Sequence, residues 1–257
     1  MKRVWVVLVV TAVVVAWLLP LDPVATDLTD RFAAPSFAHP LGTDHLGRDV
    51  FARLVDGAWI SVGLTAVALA VCAVLGTAAG LLSGYAGGVA AGLVQRAVDV
   101  LASIPTIVVG LVIAAVREPG TATLLLAVLI TGWSPFARLA HHLTLRERAR
   151  EYVEGAVAIG AGPVRIVVRH VLPNALRPLV AHACMRFANV LLSIAGLSFL
   201  GLGVQPPTPE WGVMLSEGRQ FMFSAPELVL LPATAVVVAA TCVAVLGRRL
   251  ERRWGST

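Results

Sequence analysis

The stretch EYVEGAVAIGAGPVRIVVRHVLPN, residues 151–174, decides how the chain is interpreted. It is polar, it carries Arg165 and Arg169, and long apolar segments lie on both sides of it. Charged side chains are costly in hydrocarbon, so this stretch is predicted to lie outside the bilayer core. A membrane protein that holds such an insert on one side of the bilayer offers a surface to a soluble partner.

Composition places the chain in a membrane. Of its 257 residues, 58% are hydrophobic and 14% are charged, whereas about 25% are charged in an ordinary soluble domain. The net charge of +5 comes from arginines at helix ends and in loops, which is typical of orientation signals and does not indicate a nucleic-acid site. The cysteines stand singly, so neither a metal site nor a disulfide framework is predicted.

Six apolar runs are long enough to cross a bilayer, which needs about 20 residues. They cover about residues 4–21, 58–82, 97–116, 121–139, 179–204 and 227–247. The first run is predicted to be retained, because no small-residue cleavage site follows Pro20. The prediction is an all-α integral membrane protein, one domain over residues 1–257, with a polar insert at 141–177.

Arginine counts predict the orientation. With the N-terminus inside, the inner segments hold most of the arginines, and acidic residues collect in the outer loops. The positive-inside rule then predicts that both termini and the polar insert are cytoplasmic. Gly76 and Gly80 are predicted to allow close helix–helix approach.

The polar insert is predicted to contain two short helices. The first covers about Thr144–Ile159 and ends at Gly160 and Gly162, because glycine accepts the left-handed conformation that caps a helix. The second begins at Pro163 and ends at Leu172–Pro173–Asn174. Both helices have an apolar face that needs a partner. Periodicity leaves open whether that partner is a soluble protein, the transmembrane bundle or the headgroup layer.

Several motifs in this order resemble one family. Glu154-Gly155-Ala156, followed by Gly160, Ile166 and Leu172-Pro173, resembles the EAA motif of ABC importer permeases, with Gly155 in place of an alanine. The stretches HPLGTDHLGRD at 39–49, LSFLGLGV at 197–204 and PPTPEWG at 206–212 are similar to the dipeptide, oligopeptide and nickel permeases.

This resemblance implies a permease subunit in the cell membrane of a prokaryote, moving peptides or a related solute such as a nickel chelate or an opine. It implies a second permease in a heterodimer, two ATPase subunits that use ATP and Mg, an extracytoplasmic solute-binding protein and membrane lipid as partners. Glu154 would pair with or cap against the ATPase, and Ala156, Ile159 and Ile166 would fill its cleft. The implied coupling residues are Tyr152, Glu154, Gly155, Ala156, Ile159, Gly160, Ile166, Leu172 and Pro173.

The chain itself is predicted to be non-catalytic and to bind no cofactor. A P-loop needs a lysine after its glycine-rich turn, and Lys2 is the only lysine. An ion-gradient-driven secondary transporter is the alternative, but it predicts inverted repeats and midplane acids that are not evident here. An intramembrane serine protease at Gly196-Leu197-Ser198 is disfavoured, because Phe199 follows the serine and no histidine is placed as its base.

The first outer loop is predicted to form tight turns at Gly42-Thr43-Asp44 and Gly47-Arg48-Asp49, with Arg48 bound to a carboxylate. The resemblance implies an outer cap that contacts the binding protein, and a purely structural loop is the alternative. His39 and His45 suggest a nickel site only weakly, so no metal site is predicted.

Polar residues inside the apolar runs are predicted to line the solute path, because burying them in lipid is costly. Pro105 is expected to kink the third run. For Asp99 and Arg186 a position at the cytoplasmic boundary is an equal alternative. The predicted path residues are Asp99, Ser103, Arg186, Asn189 and Ser193.

Overall fold

The computed structural model describes residues 22–254, so the first predicted span, 4–21, lies outside the described residues. The described chain is helical, with one isolated antiparallel bridge between Thr43 and Asp49, which confirms the all-α class. Over this part of the chain, four continuous helical stretches are long and apolar enough to cross a membrane, and a pair of shorter helices bent by 83° makes a fifth candidate. The four stretches are Val50–Ala86, Thr121–Arg148, Pro163–Phe199 and Glu227–Arg253. The total of six spans stays a prediction.

The helices are numbered here in chain order. They are α1 (Val50–Ala86), α2 (Gly88–Ser103), α3 (Thr106–Ala114), α4 (Thr121–Gly132), α5 (Ser134–Arg148), α6 (Glu151–Ala158), α7 (Pro163–Ile166), α8 (Leu172–Phe199), α9 (Trp211–Gly218) and α10 (Glu227–Trp254). Short 3₁₀ turns cover Leu28–Asp30 and Arg219–Phe221, and a π-helical turn covers Val167–Val171.

Helix α1 is longer than its predicted span of 58–82. It begins early because the Asp49 carboxylate accepts a hydrogen bond of 2.6 Å from the Ala52 amide, which caps the first turn. It ends at Gly87, whose φ of 66° is a left-handed conformation that favours glycine. Its 37 residues extend about 55 Å, well beyond a hydrocarbon core of about 30 Å.

A seam of three glycines joins α1 to α5. Added Cβ atoms at Gly76 and Gly80 would collide with the carbonyl oxygens of Trp133 and Ala137, and one at Gly84 would lie 2.7 Å from the Thr144 Cβ. Residue numbers rise together on both sides of the seam, so the two helices run in the same direction. The close approach predicted at Gly76 and Gly80 is confirmed, and Gly84 extends it by one turn.

The predicted third span, 97–116, is broken. Helices α2 and α3 meet at a bend of 83°, and Ile104 is extended, with a ψ of 121°. A residue before proline is pushed out of the helical region by the proline ring, so Pro105 interrupts the segment as predicted. The resulting bend is far larger than a proline kink within one continuous helix.

The polar insert is shorter than predicted over 141–177. Residues 141–148 belong to α5, and residues 172–177 belong to α8, which leaves residues 149–171 as an elbow segment between them. The single helix predicted over Thr144–Ile159 is wrong, because extended backbone at Arg150, with a ψ of 137°, separates α5 from α6. The predicted stop at Gly160 is confirmed, since its φ is 86°.

The second predicted helix does not end at Leu172–Pro173. It continues from Pro163 through the π-helical turn into α8. In a regular helix the Pro173 ring would meet the carbonyl of Arg169, and the wider turn just before Pro173 relieves that conflict. Helix α8 then stops at Phe199, short of the predicted 204. Gly201, with a φ of 78°, closes the end through Leu202 N–H donating to Leu197 O at 2.9 Å.

Two buried clusters matter for function. The main core packs α1, α4, α5, α8, α9 and α10 around residues such as Cys72, Phe136 and Leu191. A smaller cluster of Leu81, Val153, Ile166 and Val171 holds the elbow segment against the inner end of α1.

Replacing Gly80 with valine is expected to lower the free energy of unfolding by about 3 kcal/mol or more, because the side chain would displace the α5 backbone. Gly63 is the matched control on the same helix, since it is exposed and an added Cβ would meet nothing within 4 Å. Thermal unfolding of Gly80→Val and Gly63→Val in detergent is the measurement. Equal losses in the two variants would contradict the glycine seam.

Candidate functional site

The elbow segment is anchored by a few apolar side chains. Val153 of α6 and Ile166 of α7 are buried against Leu81 of α1 and Val171. Ile166 has no exposed surface, which contradicts the expectation that it fills a partner's cleft. Its position instead fixes α7 to the bundle.

Apart from Val153, the residues of α6 and Ile159 just after it are exposed or half-buried, and some of them are apolar. Ile159 is 88% exposed and Val157 is 53% exposed, while Glu154 and Gly155 are also on the surface and Ala156 is half-buried. The space around the Gly155 Cα is open, with nothing within 4 Å of an added Cβ. A second chain can therefore approach the α6 backbone closely at this point.

The hydroxyl of Tyr152 connects the elbow segment to both neighbouring long helices. It donates to the Glu147 carboxylate of α5 at 2.6 Å and accepts from the Asn174 side-chain amide of α8 at 3.0 Å. Partial burial, and then the hydrogen bond to Glu147, raise the pKa of Tyr152, so the phenol stays protonated and can donate. Of the last two predicted coupling residues, Leu172 packs against the small cluster and Pro173 is exposed.

Removing this hydroxyl is expected to loosen the elbow segment. Tyr152→Phe removes the hydroxyl that donates to the buried Glu147 carboxylate, whose remaining partner is Arg146 at 3.6 Å. Leaving a buried hydrogen-bond acceptor unsatisfied costs about 1–3 kcal/mol. Amide hydrogen exchange over residues 147–159 should therefore become roughly tenfold faster or more. The control is Tyr85→Phe, which changes the only other tyrosine and keeps its ring under Arg148. Unchanged exchange in Tyr152→Phe would contradict the bridging role.

The outer cap forms at the opposite end of α1. Gly42 and Gly47 both have a φ of 74°, and an added Cβ at either position would collide with a backbone carbonyl, of Ala33 and of Asp27 respectively. The Thr43 hydroxyl donates to Asp30 O and accepts from the Ala33 amide. The predicted tight turns are therefore held by backbone geometry that requires glycine.

A buried network of four charges lies beneath these turns. Arg48 Nε donates to the Asp44 carboxylate at 2.6 Å, and Arg48 Nη2 donates to Glu217 at 3.0 Å. Arg53 Nη2 reaches the same Glu217 oxygen at 2.6 Å. Both arginines are 1% exposed and Glu217 is partly buried, so the network joins the outer loop, α1 and α9 largely away from water. The predicted binding of Arg48 to a carboxylate is confirmed.

The sequence did not reveal Arg53 and Glu217 as members of this network. Glu217 lies 169 residues from Arg48 along the chain, and no local spacing connects the two. The two cap histidines also have protein partners: His39 Nδ1 lies 2.8 Å from Asp49, and the His45 ring stacks on Phe221 at 5.2 Å. Burial lowers the pKa of His45.

The predicted path residues fall into two separate sets. On α2, Asp99 forms an ion pair of 2.6 Å with Arg138 of α5, and both side chains are largely exposed. Ser103, also exposed, donates to Val100 O. Within residues 22–254, no hydrogen bond or ion pair joins these residues to the α8 set. That set holds exposed Asn189, partly exposed Ser193 and Arg186, whose Nε is buried.

Arg138 was not predicted, although it is the closest charged partner of Asp99. The signal for it was available, because Arg138 stands inside an apolar run just as Asp99 does. An exposed ion pair within membrane-spanning helices is costly against lipid, so this face of the chain favours contact with protein or water.

Comparisons with a family model and with curated proteins agree on one family. A model described as binding-protein-dependent transport system inner membrane component matches residues 76–256. The dipeptide transport system permease protein DppC of Haemophilus influenzae is 34% identical over 88% of this chain and 79% of its own length. The nickel transport system permease protein NikC of Escherichia coli K12 is 34% identical over 91% and 85%. The glutathione transport system permease protein GsiD of an Escherichia coli O6 strain is 39% identical over 96% and 82%.

Solved structures share the fold. An inward-facing MetNI methionine ABC transporter chain superposes with a TM-score of 0.65 at 21% identity, covering 79% of this chain and 96% of that one. A chain of an amino acid ABC transporter crystallised with histidines gives a TM-score of 0.58 at 16% identity, covering 78% and 94%.

Proposed function

The chain belongs to the family of binding-protein-dependent transport system inner membrane components, and from that premise we propose that its elbow segment is the surface through which ATP-hydrolysing subunits drive transport. The permease supplies the membrane path, and ATP and Mg are used by its partners. The observation that carries the proposal is the exposure of two apolar side chains, Val157 near the end of α6 and Ile159 just after it.

This face suits a protein partner better than lipid. The eight residues of α6 are bounded by extended backbone at Arg150 and by Gly160, and two glutamates lie in the first turn. Glu151 and Glu154 oppose insertion among acyl chains, whereas Val157 and Ile159 oppose full exposure to water. A cleft on a folded partner, with basic groups near its rim, satisfies both requirements, with Glu154 as the ion-pairing residue.

The orientation follows from helix direction and charge. Helices α1 and α5 run in the same direction and end beside the elbow segment, where Arg146, Arg148 and Arg150 collect. The positive-inside rule places this end in the cytoplasm, together with the end of α10 and the chain terminus that follows it. The outer cap then faces the solute-binding protein, and the largely buried residues 42–49 hold the cap rigid beneath the contacted surface.

The solute path forms between this chain and a second permease, which we propose to be a different chain. Several polar side chains lie on faces of the helices where contact with lipid is unfavourable. They are the ion pair of Asp99 and Arg138, and Asn189 and Ser193 on α8. Short peptides or a related small solute fit this proposal, since relatives of the chain are named for dipeptide, glutathione and nickel transport. Membership of this family argues against the two other functions considered from the sequence, an ion-gradient-driven transporter and an intramembrane serine protease.

The test is co-purification with the ATPase subunits. Val157→Asp and Ile159→Asp each place a carboxylate in the proposed interface without touching the buried anchors, so ATPase recovery should fall at least tenfold. Phe37→Asp is the matched control, because Phe37 is fully exposed on the outer side. Full ATPase recovery with both elbow variants would exclude this face as the docking surface.

A further inference from the structure

A cavity of about 920 Å³ opens beside the elbow segment, between the inner ends of α5, α8 and α10. Its rim is polar and its far end is apolar. Arg146, Arg150 and Arg177 lie at the rim, and Leu139 and Met185 line the deeper part. Arg177 and Met185 are eight residues apart on α8, so the cavity changes from charged to apolar over about 12 Å.

The floor of the cavity is closed by a tight contact. Gly247 of α10 packs on α8, where an added Cβ would lie 2.7 Å from the Cys184 Cβ and 3.2 Å from the Met185 amide. This contact therefore bounds the cavity at its apolar end, on the α10 side. This shape accommodates an elongated molecule with a polar end outward.

The charges of the rim favour an anion. Three arginines line the cavity against two carboxylates, Glu147 and Glu251. Glu147 already accepts the Tyr152 hydroxyl and lies 3.6 Å from Arg146. Over the described residues, Arg150 and Arg177 lie within ion-pair distance of no carboxylate. Two guanidiniums are therefore available to a phosphate oxygen.

We propose that this cavity binds an anionic phospholipid of the cytoplasmic leaflet, with the phosphate between Arg150 and Arg177 and an acyl chain against Leu139 and Met185. Basic pockets between transmembrane helices at the cytoplasmic surface are sites for anionic headgroups. The inference rests on the cytoplasmic placement of the elbow segment in the proposed function. A lipid there would contact Tyr152 and Asn174, and so would stabilise the hydrogen bonds that hold α6.

Native mass spectrometry of the assembled transporter tests the proposal. The complex is delipidated in an uncharged detergent and titrated with dihexanoyl phosphatidylglycerol, dihexanoyl phosphatidylcholine or inorganic phosphate. Wild type is expected to bind phosphatidylglycerol at least tenfold more tightly than phosphatidylcholine. Replacing Arg150 and Arg177 together with glutamine should remove that preference.

The matched control is the double variant Arg165→Gln and Arg169→Gln. It removes the same charge from exposed arginines of the α7 region that line a different depression, and it should keep the preference. Equal binding of the two lipids to wild type, or equal loss in both double variants, would overturn the proposal. Binding of inorganic phosphate without competition from phosphatidylglycerol would overturn the assignment to lipid. The readout needs no ATP hydrolysis, so its failure is distinct from a failure of ATPase docking.

Discussion

The backbone contact between α1 and α5 is the constraint on which the rest of the structure depends. Gly76, Gly80 and Gly84 bring the two helices together over three turns, with the inner ends side by side. Arg148 then donates to the carbonyls of Gly84 and Tyr85, at 3.0 and 2.7 Å, and its guanidinium lies over the Tyr85 ring. Leu81, between the last two glycines, faces Val153 and Ile166 and so fixes where the elbow segment sits.

The two ends of the bundle are held very differently. At the outer end, buried charges join the cap, α1 and α9, and Glu210 accepts from Ser61 Oγ at 3.0 Å while the Trp211 amide donates to the same hydroxyl. Breaking such buried ionic contacts is strongly unfavourable, so this end behaves as one body. At the inner end, α6 is held by one buried valine, by the Tyr152 hydroxyl and by the Tyr152 ring, which lies 5.9 Å from the His170 ring. A rigid bundle with one lightly attached, exposed helix is suited to transmit motion from a partner.

Local rules in the sequence predicted those features that depend on neighbouring residues. The glycine spacing on α1, the left-handed turn at Gly160 and the tight turns of the outer cap each need a residue type that is visible in the sequence. No glycine or proline marked the break at Arg150. Pro173 did not end its helix, because the wider π-helical turn before it makes room for the proline ring. The roles of Glu217 and Arg138 depended on partners from distant segments, which no local pattern specifies. The burial of Ile166 depended likewise on α1.

The central claim is that α6 enters a cleft on an ATP-hydrolysing subunit. Site-specific photo-crosslinking from position 157 tests it most directly, because the Val157 side chain is about half-exposed and is not part of the small buried cluster. With a benzophenone side chain at this position in intact membranes, the account predicts a crosslinked product of permease and ATPase. A product formed only with lipid, or with no partner protein, would contradict it.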